Sequence, residues 1–102
     1  MNVSEKLIKE IIEKITQKVE VDKIMIFGSS VRKDGTKKSD IDLAIFGLKE
    51  IEKLPVLKEE LNEEIPTLRD IDIVVFEQLT NERLKQRILE EGVIIYERSS
   101  TR

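Results

Sequence analysis

The sequence has 102 residues, a formal net charge of −3, no cysteine and no histidine. This length suits one domain with a single core, residues 1–102. The missing residue types exclude disulfides, thiolate metal sites and a histidine general base. The slightly acidic charge gives no electrostatic reason to expect direct nucleic-acid binding. No signal peptide is visible and no apolar run approaches the roughly 20 residues that span a membrane, so we expect a cytoplasmic protein.

The first half of the chain predicts one helix and two strands. Ser4 can cap a helix that runs to about Lys18, because apolar residues recur along one side of it at helical spacing. Apolar runs then predict strands over residues 21–27 and 40–46. The link between these strands lacks the pattern of a crossover helix, so we expect them to be antiparallel. One helical turn within residues 31–36 and a turn at Asp34-Gly35 are expected in the link.

A strand–helix–strand unit follows. The helical pattern covers residues 50–64, with its regular part from about Leu54, and Pro66 stops it. The next strand covers residues 70–76. Such a unit favours a parallel, right-handed crossover, which returns this strand to the edge where the strand over 40–46 begins.

A last helix and a short strand complete the predicted fold. Thr80 can cap a helix that ends at Glu91 and is stopped by Gly92. Its inward-facing residues are expected to be Leu84, Ile88 and Leu89. A strand over residues 93–96 follows. The fold class is therefore α/β in the broad sense (α+β), with helices packed on a mixed four-stranded sheet and the order α-β-(short α)-β-α-β-α-β.

The most informative stretch joins the first two strands. Gly28-Ser29 ends one apolar run, and Asp40-Ile41-Asp42 begins the next after ten intervening residues. Residues two apart in a strand share a face, so Asp40 and Asp42 present two carboxylates side by side. Adjacent carboxylates repel unless a cation lies between them, and Mg²⁺ takes oxygen ligands and phosphates together. Gly28 allows close approach of a ligand, and Ser29 with the following amides can hold phosphate oxygens.

A third carboxylate is expected at the same edge. The predicted parallel pairing places Asp72 beside Asp42, on the same face of the sheet. Asp70 lies on the same face as Asp72 and remains an alternative.

Gly-Ser, ten residues and then Asp-x-Asp, each on an apolar run, resemble the signature of the DNA polymerase β-like nucleotidyltransferases. The length and the ending Glu91-Gly92-Val93-Ile94-Ile95-Tyr96 are similar to the minimal nucleotidyltransferase branch of that superfamily. The resemblance implies an enzyme that uses two Mg²⁺ ions and a nucleoside triphosphate. It implies that Asp40, Asp42 and Asp72 are both the catalytic residues and the metal ligands.

The resemblance also implies a set of nucleotide-binding residues. These are Gly28, Ser29, Ser30 and Arg32. Many members of the family have glycine directly after the arginine, where this chain has Lys33 and its glycine two residues later, at Gly35, so the loop path can differ. Lys33, Lys37 and Lys38 either lie near phosphate or belong to a solvated loop. Arg69 and Tyr96 are interpreted as structural or surface residues.

The minimal branch implies a particular function. Its members act beside a HEPN-domain toxin and transfer AMP from ATP to a tyrosine hydroxyl of that partner. The resemblance therefore implies Mg-dependent protein adenylylation and the antitoxin role of a type VII toxin–antitoxin pair. It fits a chain that has no room for a separate acceptor-binding domain beside the catalytic core.

Three alternatives remain open at this stage. The protein could neutralise its partner by binding alone, with the site serving as a vestige or an ATP-binding sensor. It could instead adenylylate a small molecule, although an acceptor-binding domain is missing. A homodimer through the first or last helix, or a hetero-oligomer, is also compatible with the sequence.

Overall fold

The computed structural model describes residues 1–32 and 38–99. Its helices and strands follow one another in the predicted order. They are α1 (Glu5–Lys18), β1 (Lys23–Phe27), β2 (Ile41–Phe46), α2 (Leu54–Glu64), β3 (Ile71–Val75), α3 (Glu82–Glu91) and β4 (Val93–Glu97), with short 3₁₀ turns at Gly28–Ser30, Ile51–Lys53 and Phe76–Gln78. Within those two ranges, no helix has the length and apolar character needed to cross a membrane.

The four strands form one mixed sheet in the order β3-β2-β1-β4. Strand β1 is antiparallel to both β2 and β4, whereas β2 and β3 are parallel. The predicted mixed four-stranded sheet, the antiparallel first pair and the parallel crossover are all confirmed. As a result, the end of β1 and the starts of β2 and β3 meet at one edge of the sheet.

One face of the sheet carries the main core. Alternate residues of β2, namely Ile41, Leu43 and Ile45, are completely buried on this face. They belong to one cluster with Ile11 of α1 and Leu61 of α2. Each such side chain contributes roughly 1.5–3 kcal/mol of hydrophobic stabilisation relative to an exposed position. The core therefore fixes which side chains of β2 point inward, and Asp42 between them must face the other side.

The opposite face is covered less completely, by α3. Met25, Phe27, Ala44 and Ile88 form a small buried cluster there. Asp42 lies on this face, two residues before Ala44, where the cluster gives way to solvent and the aspartate is only half-buried. The sheet thus presents its acidic residue at the border of an apolar cluster.

Two expectations for α3 are wrong. The residue that caps the helix is Asn81, whose side chain accepts a hydrogen bond from the amide of Leu84 at 3.1 Å, and Thr80 precedes it. Leu89 is 56% exposed, because only Ile88 of this turn reaches the sheet. Asparagine and threonine both favour the capping position, so the sequence could not distinguish them.

The connection after β1 is described only in part. A 3₁₀ turn lies at Gly28–Ser30, directly after the strand. The helical turn expected within residues 31–36 falls mostly outside the described residues, and so does the predicted turn at Asp34-Gly35. The other boundaries agree to within a few residues: Ser4 caps α1, and the regular part of α2 begins at Leu54.

Candidate active site

Gly28 lies where β1 meets the 3₁₀ turn, and its backbone conformation disfavours any other residue at this position. Its φ is +75°, in the left-handed region that favours glycine. A Cβ atom built there would lie 2.6 Å from Oδ2 of Asp42. The glycine therefore brings the backbone against the carboxylate of Asp42, and the approach to a ligand that the sequence predicted for Gly28 stays a prediction.

Asp42 and Asp72 are directly adjacent in the parallel pair of β2 and β3. The register places Asp42 opposite Asp72 on one side and opposite Phe27 on the other. The predicted juxtaposition of the two carboxylates is confirmed. Asp70 precedes β3 and contributes its backbone carbonyl, which accepts a hydrogen bond from the amide of Ile41 at 2.8 Å. Of the two residues, Asp72 is the one paired with Asp42 in the register.

The electrostatics of Asp42 show that three carboxylates share this edge. Partial burial raises the pKa of Asp42, and the negative charges of Asp72 and Asp40 raise it further. The positive charge of Arg32 acts in the opposite direction. Asp40 itself is exposed, just before β2 begins. The site is thus an excess of negative charge, and such a site favours a cation.

Lys58 was not identified from the sequence as a site residue. Its Nζ lies 3.8 Å from Oδ1 of Asp72, reaching across from α2, and both side chains are substantially exposed.

Across residues 1–32 and 38–99, no group of three or more aspartate, glutamate, histidine or cysteine side chains is close enough to hold a metal ion between them. Mg²⁺ commonly uses only one or two carboxylates and completes its shell with substrate phosphates and water. The donor set here fits such an ion together with a bound triphosphate.

The predicted phosphate-side residues occupy different environments. Ser29 is partly exposed, and its carbonyl accepts a hydrogen bond from the amide of Arg32 at 3.3 Å. Arg32 is exposed beside the carboxylates. Ser30, also predicted to bind nucleotide, is completely buried, and its hydroxyl donates to the carbonyl of Asp40 at 3.3 Å. This arrangement gives Ser30 a supporting position inside the loop. Lys38 is exposed, while Lys33 and Lys37 lie outside the described residues.

Two sets of hydrogen bonds behind the site were not predicted from the sequence. The side-chain amide of Asn62 in α2 donates to the carbonyl of Ile71 at 2.9 Å and accepts from its N–H at 2.8 Å, which fixes the residue before Asp72. Arg69, predicted to be a structural or surface residue, is structural: it is 9% exposed and donates hydrogen bonds to segments around the site, although no sequence pattern indicated these contacts. Neither residue belongs to a recognisable spacing, so only the tertiary structure reveals them.

The comparisons with known proteins place this geometry in a family. The family profile described as "Polymerase beta, Nucleotidyltransferase" matches residues 9–101. This chain belongs to the polymerase β nucleotidyltransferase family. The nucleotidyltransferase fold predicted from the Gly-Ser and Asp-x-Asp pattern is thereby confirmed. No protein of curated function matches the sequence.

Solved structures with the nucleotidyltransferase fold are similar to this chain at low identity. A chain of a toxin–antitoxin structure with AMP-PNP has a TM-score of 0.73 and 22% identity, over 89% of this chain and 73% of the other. A chain of an MntA–HepT toxin–antitoxin structure has a TM-score of 0.70 and 20% identity, over 93% and 74%. A chain from a complex of tri-AMPylated Shewanella oneidensis HEPN toxin with MNT antitoxin has a TM-score of 0.70 and 20% identity, over 96% of this chain and 74% of the other. At these identities the likeness shows a common fold.

Proposed function

We propose that this protein transfers AMP from ATP to a hydroxyl group of a partner protein, a HEPN toxin, and thereby acts as its antitoxin. The observation that carries the proposal is the adjacency of Asp42 and Asp72 beside the left-handed Gly28. Membership of a nucleotidyltransferase family supports the reaction class. Structural relatives that contain AMP-PNP or an AMPylated HEPN toxin support the nucleotide and the partner.

The triphosphate would bind on the side of the 3₁₀ turn. Gly28 and Ser29 would offer backbone amides and a hydroxyl, and the absence of a Cβ at Gly28 leaves room for phosphate beside Asp42. Arg32, already close enough to influence Asp42 electrostatically, would contribute positive charge to the phosphates. The buried Ser30 would hold the turn in place through the hydrogen bond from its hydroxyl to the carbonyl of Asp40.

Asp40, Asp42 and Asp72 would hold Mg²⁺ together with the triphosphate. Burial raises the pKa of Asp42, and repulsion by Asp72 and Asp40 raises it further; a divalent cation would relieve that repulsion. When bound, two Mg²⁺ ions would neutralise charge on the triphosphate and favour ionisation of the acceptor hydroxyl.

The reaction is balanced by the groups of this site and its two substrates. The acceptor oxygen forms a bond to the α-phosphorus, the bond from that phosphorus to the bridging oxygen breaks, and pyrophosphate leaves. Asp72 accepts the proton of the hydroxyl, since it is the more exposed of the two paired aspartates and the sequence has no histidine. A tyrosine is the expected acceptor, and the use of ATP agrees with the cytoplasmic location that we expect.

The test uses the protein with its HEPN partner, ATP labelled on the α-phosphate and Mg²⁺. We expect label on the partner with the native protein and none with an Asp40→Asn, Asp42→Asn double variant. Asp22→Asn is the control, because Asp22 is exposed at the other end of β1 and pairs with Lys49. Equal labelling by the double variant, or no labelling by the native protein, would contradict the proposal.

A second candidate function is neutralisation by binding alone. It is favoured by the finding that, in the described part of the chain, the carboxylates do not converge into a group of three that could hold a metal. Growth rescue of cells that express the toxin separates the two functions. If Asp42→Asn rescues growth as well as the native protein does, binding is sufficient.

A further inference from the structure

The three chain segments that form the candidate site meet at one buried guanidinium, that of Arg69. Arg69 lies three residues before Asp72 and is 9% exposed. Its side chain extends under the site toward the turn after β1 and the residue before Asp40. A long charged side chain in such a position must be held by hydrogen bonds, because burial of an unpartnered cation is very unfavourable.

The nitrogens of the guanidinium donate hydrogen bonds to three chain segments, around Ser39, Asn2 and Ser30. Nε donates to the carbonyl of Ser39 at 2.6 Å, next to Asp40. Nη1 donates to the carbonyl of Asn2 at 2.8 Å, and Nη2 to its Oδ1 at 2.9 Å. Nη2 also lies 3.4 Å from the hydroxyl of Ser30. The guanidinium therefore connects the two ends of the link between β1 and β2 with the start of β3.

Asn2 adds a second layer of bonds to the same turn. The backbone N–H of Asn2 donates to the carbonyl of Ser30 at 2.9 Å. Its side-chain Nδ2 donates to the carbonyl of Ser29, also at 2.9 Å. The hydroxyl of Ser30 in turn reaches the carbonyl of Asp40. Through these bonds Arg69 and Asn2 fix the backbone of the Gly28–Ser30 turn relative to the carboxylates.

The chemistry of these partners argues for a geometric role. All the oxygen atoms that Arg69 contacts in these bonds belong to neutral carbonyl, amide and hydroxyl groups. Hydrogen bonds from a charged donor to such groups are directional, so the guanidinium fixes the positions of the atoms that it contacts. Arginine offers a rigid, planar set of donors that point in three directions, which lysine cannot reproduce.

We propose that Arg69 is a positioning residue of the nucleotidyltransferase site, which sets the separation between the Gly28–Ser30 turn and the three aspartates. The effect of Arg69 on catalysis rests on the proposed function. Its role in fixing the Gly28–Ser30 turn rests on geometry alone. Displacement of reacting groups by about 1 Å can reduce an enzymatic rate by on the order of a hundredfold. Loss of the fixed separation should therefore reduce the rate more than it reduces nucleotide affinity.

The test begins with hydrogen exchange in the full chain without nucleotide. The amides of Val31 and Arg32 donate to the carbonyls of Gly28 and Ser29, so they report on the turn. In Arg69→Lys we expect faster exchange at these two amides, while amides of the β1 core keep their protection. The matched control is Arg98→Lys, since Arg98 forms exposed ion pairs with Glu20 and Asp22 away from the site. Unchanged exchange at both amides would overturn the proposal.

The second measurement is transfer of labelled AMP to the HEPN partner, with binding of Mg²⁺-AMP-PNP measured in parallel. We expect Arg69→Lys to lose at least about tenfold in transfer rate per folded molecule, with a smaller change in affinity. Asn2→Ala should show a weaker effect of the same kind, and it keeps the test valid if Arg69→Lys does not fold. Transfer by Arg69→Lys at the rate of Arg98→Lys would overturn the proposal even if the turn exchanges faster.

The two proposals can fail separately. If the native protein neither transfers AMP nor binds Mg²⁺-AMP-PNP, the proposed function fails, and hydrogen exchange alone decides whether Arg69 holds the turn. If the native protein is active and the Arg69 variant is equally active, the proposed function stands and Arg69 has no positioning role.

Discussion

Gly28 and Asp42 are so close that each restricts what the other position can hold. A side chain at Gly28 meets both a left-handed backbone and the Asp42 carboxylate. Gly47 provides a second case of the same geometry at the far end of β2, with φ of +70° and the carboxylate of Asp22 against it. The chain therefore contains an internal control for backbone strain, one glycine at the site and one away from it.

We predict that Gly28→Ala and Gly47→Ala each lower the free energy of unfolding, by at least about 1–2 kcal/mol for the left-handed backbone alone. Only Gly28→Ala should also weaken binding of Mg²⁺-AMP-PNP, because its Cβ displaces Asp42. Urea unfolding measures the first effect and calorimetric titration the second. Equal affinity of the two folded variants would show that Gly28 serves the backbone only.

We predict that Asp42→Asn stabilises the protein at neutral pH in the absence of divalent cations. Burial and the charges of Asp72 and Asp40 raise the pKa of Asp42 above its ordinary value of 3.8. Asp42 therefore ionises less readily in the folded chain than in the unfolded chain. The folded state loses stability as pH rises from about 3.8, the ordinary pKa, through the raised pKa of the folded state. Asparagine removes that loss.

Urea unfolding at two pH values, with EDTA present, measures the effect. The variant should be more stable than the native protein at pH 7, and this gain should disappear well below pH 3.8, the ordinary pKa of the carboxyl, where it is protonated in both states. Asp22→Asn, at an exposed position with ion pairs to Lys49 and Arg98, should give no gain. A less stable Asp42→Asn at pH 7 would contradict the interpretation of the site as crowded negative charge.

Among the elements, the edge strand β3 depends on a side chain of α2. Asn62 bonds to both the N–H and the C=O of Ile71, and so takes the place that a further strand would occupy at that position. The same bonds fix the start of β3, one residue before Asp72. Helix α2 therefore contributes to the site through backbone placement as well as through Lys58.

We predict that Asn62→Ala lowers the free energy of unfolding by about 1–3 kcal/mol, because it leaves two strand groups of Ile71 without their partner. The exchange of the Ile71 amide should accelerate as well. Glu63→Ala, at the next and also exposed position of α2, should change neither quantity appreciably. Native-state hydrogen exchange checks both variants, and unchanged protection of Ile71 would show that Asn62 is dispensable.

The elements also show how far the sequence alone could lead. The pairing of β1 with β2 and of β2 with β3, their directions and the Asp42–Asp72 register follow from apolar runs, link lengths and the handedness of crossovers, whereas no partner was predicted for β4. The buried state of Ser30 and the hidden position of Arg69 do not follow from such patterns, because both depend on contacts with Asn2, far away in the chain. Local patterns carry no information about such contacts. The exposure of Leu89 was missed for a related reason, since only tertiary packing shows how little of α3 the sheet covers.

For the whole molecule, we predict that Mg²⁺ with AMP-PNP raises the thermal midpoint of unfolding. A ligand that binds only the folded state stabilises it by about 2.7 kcal/mol at a concentration one hundred times its Kd. Addition of EDTA should remove the shift, and so should the Asp40→Asn, Asp42→Asn double substitution. A thermal shift that survives EDTA would mean that the nucleotide binds without a cation.

The parallel register of Asp42 and Asp72 has a consequence for how the protein folds. The helix α2 separates the two aspartates in the chain, so they become neighbours only when β3 pairs with β2. That pairing step brings two negative charges together, whereas the apolar residues of the same strands favour pairing. The site is therefore locally frustrated within an otherwise consistent folding landscape. Edge strand β3 should therefore open more readily than the central strands β1 and β2, and a cation shared by the two carboxylates should slow its opening.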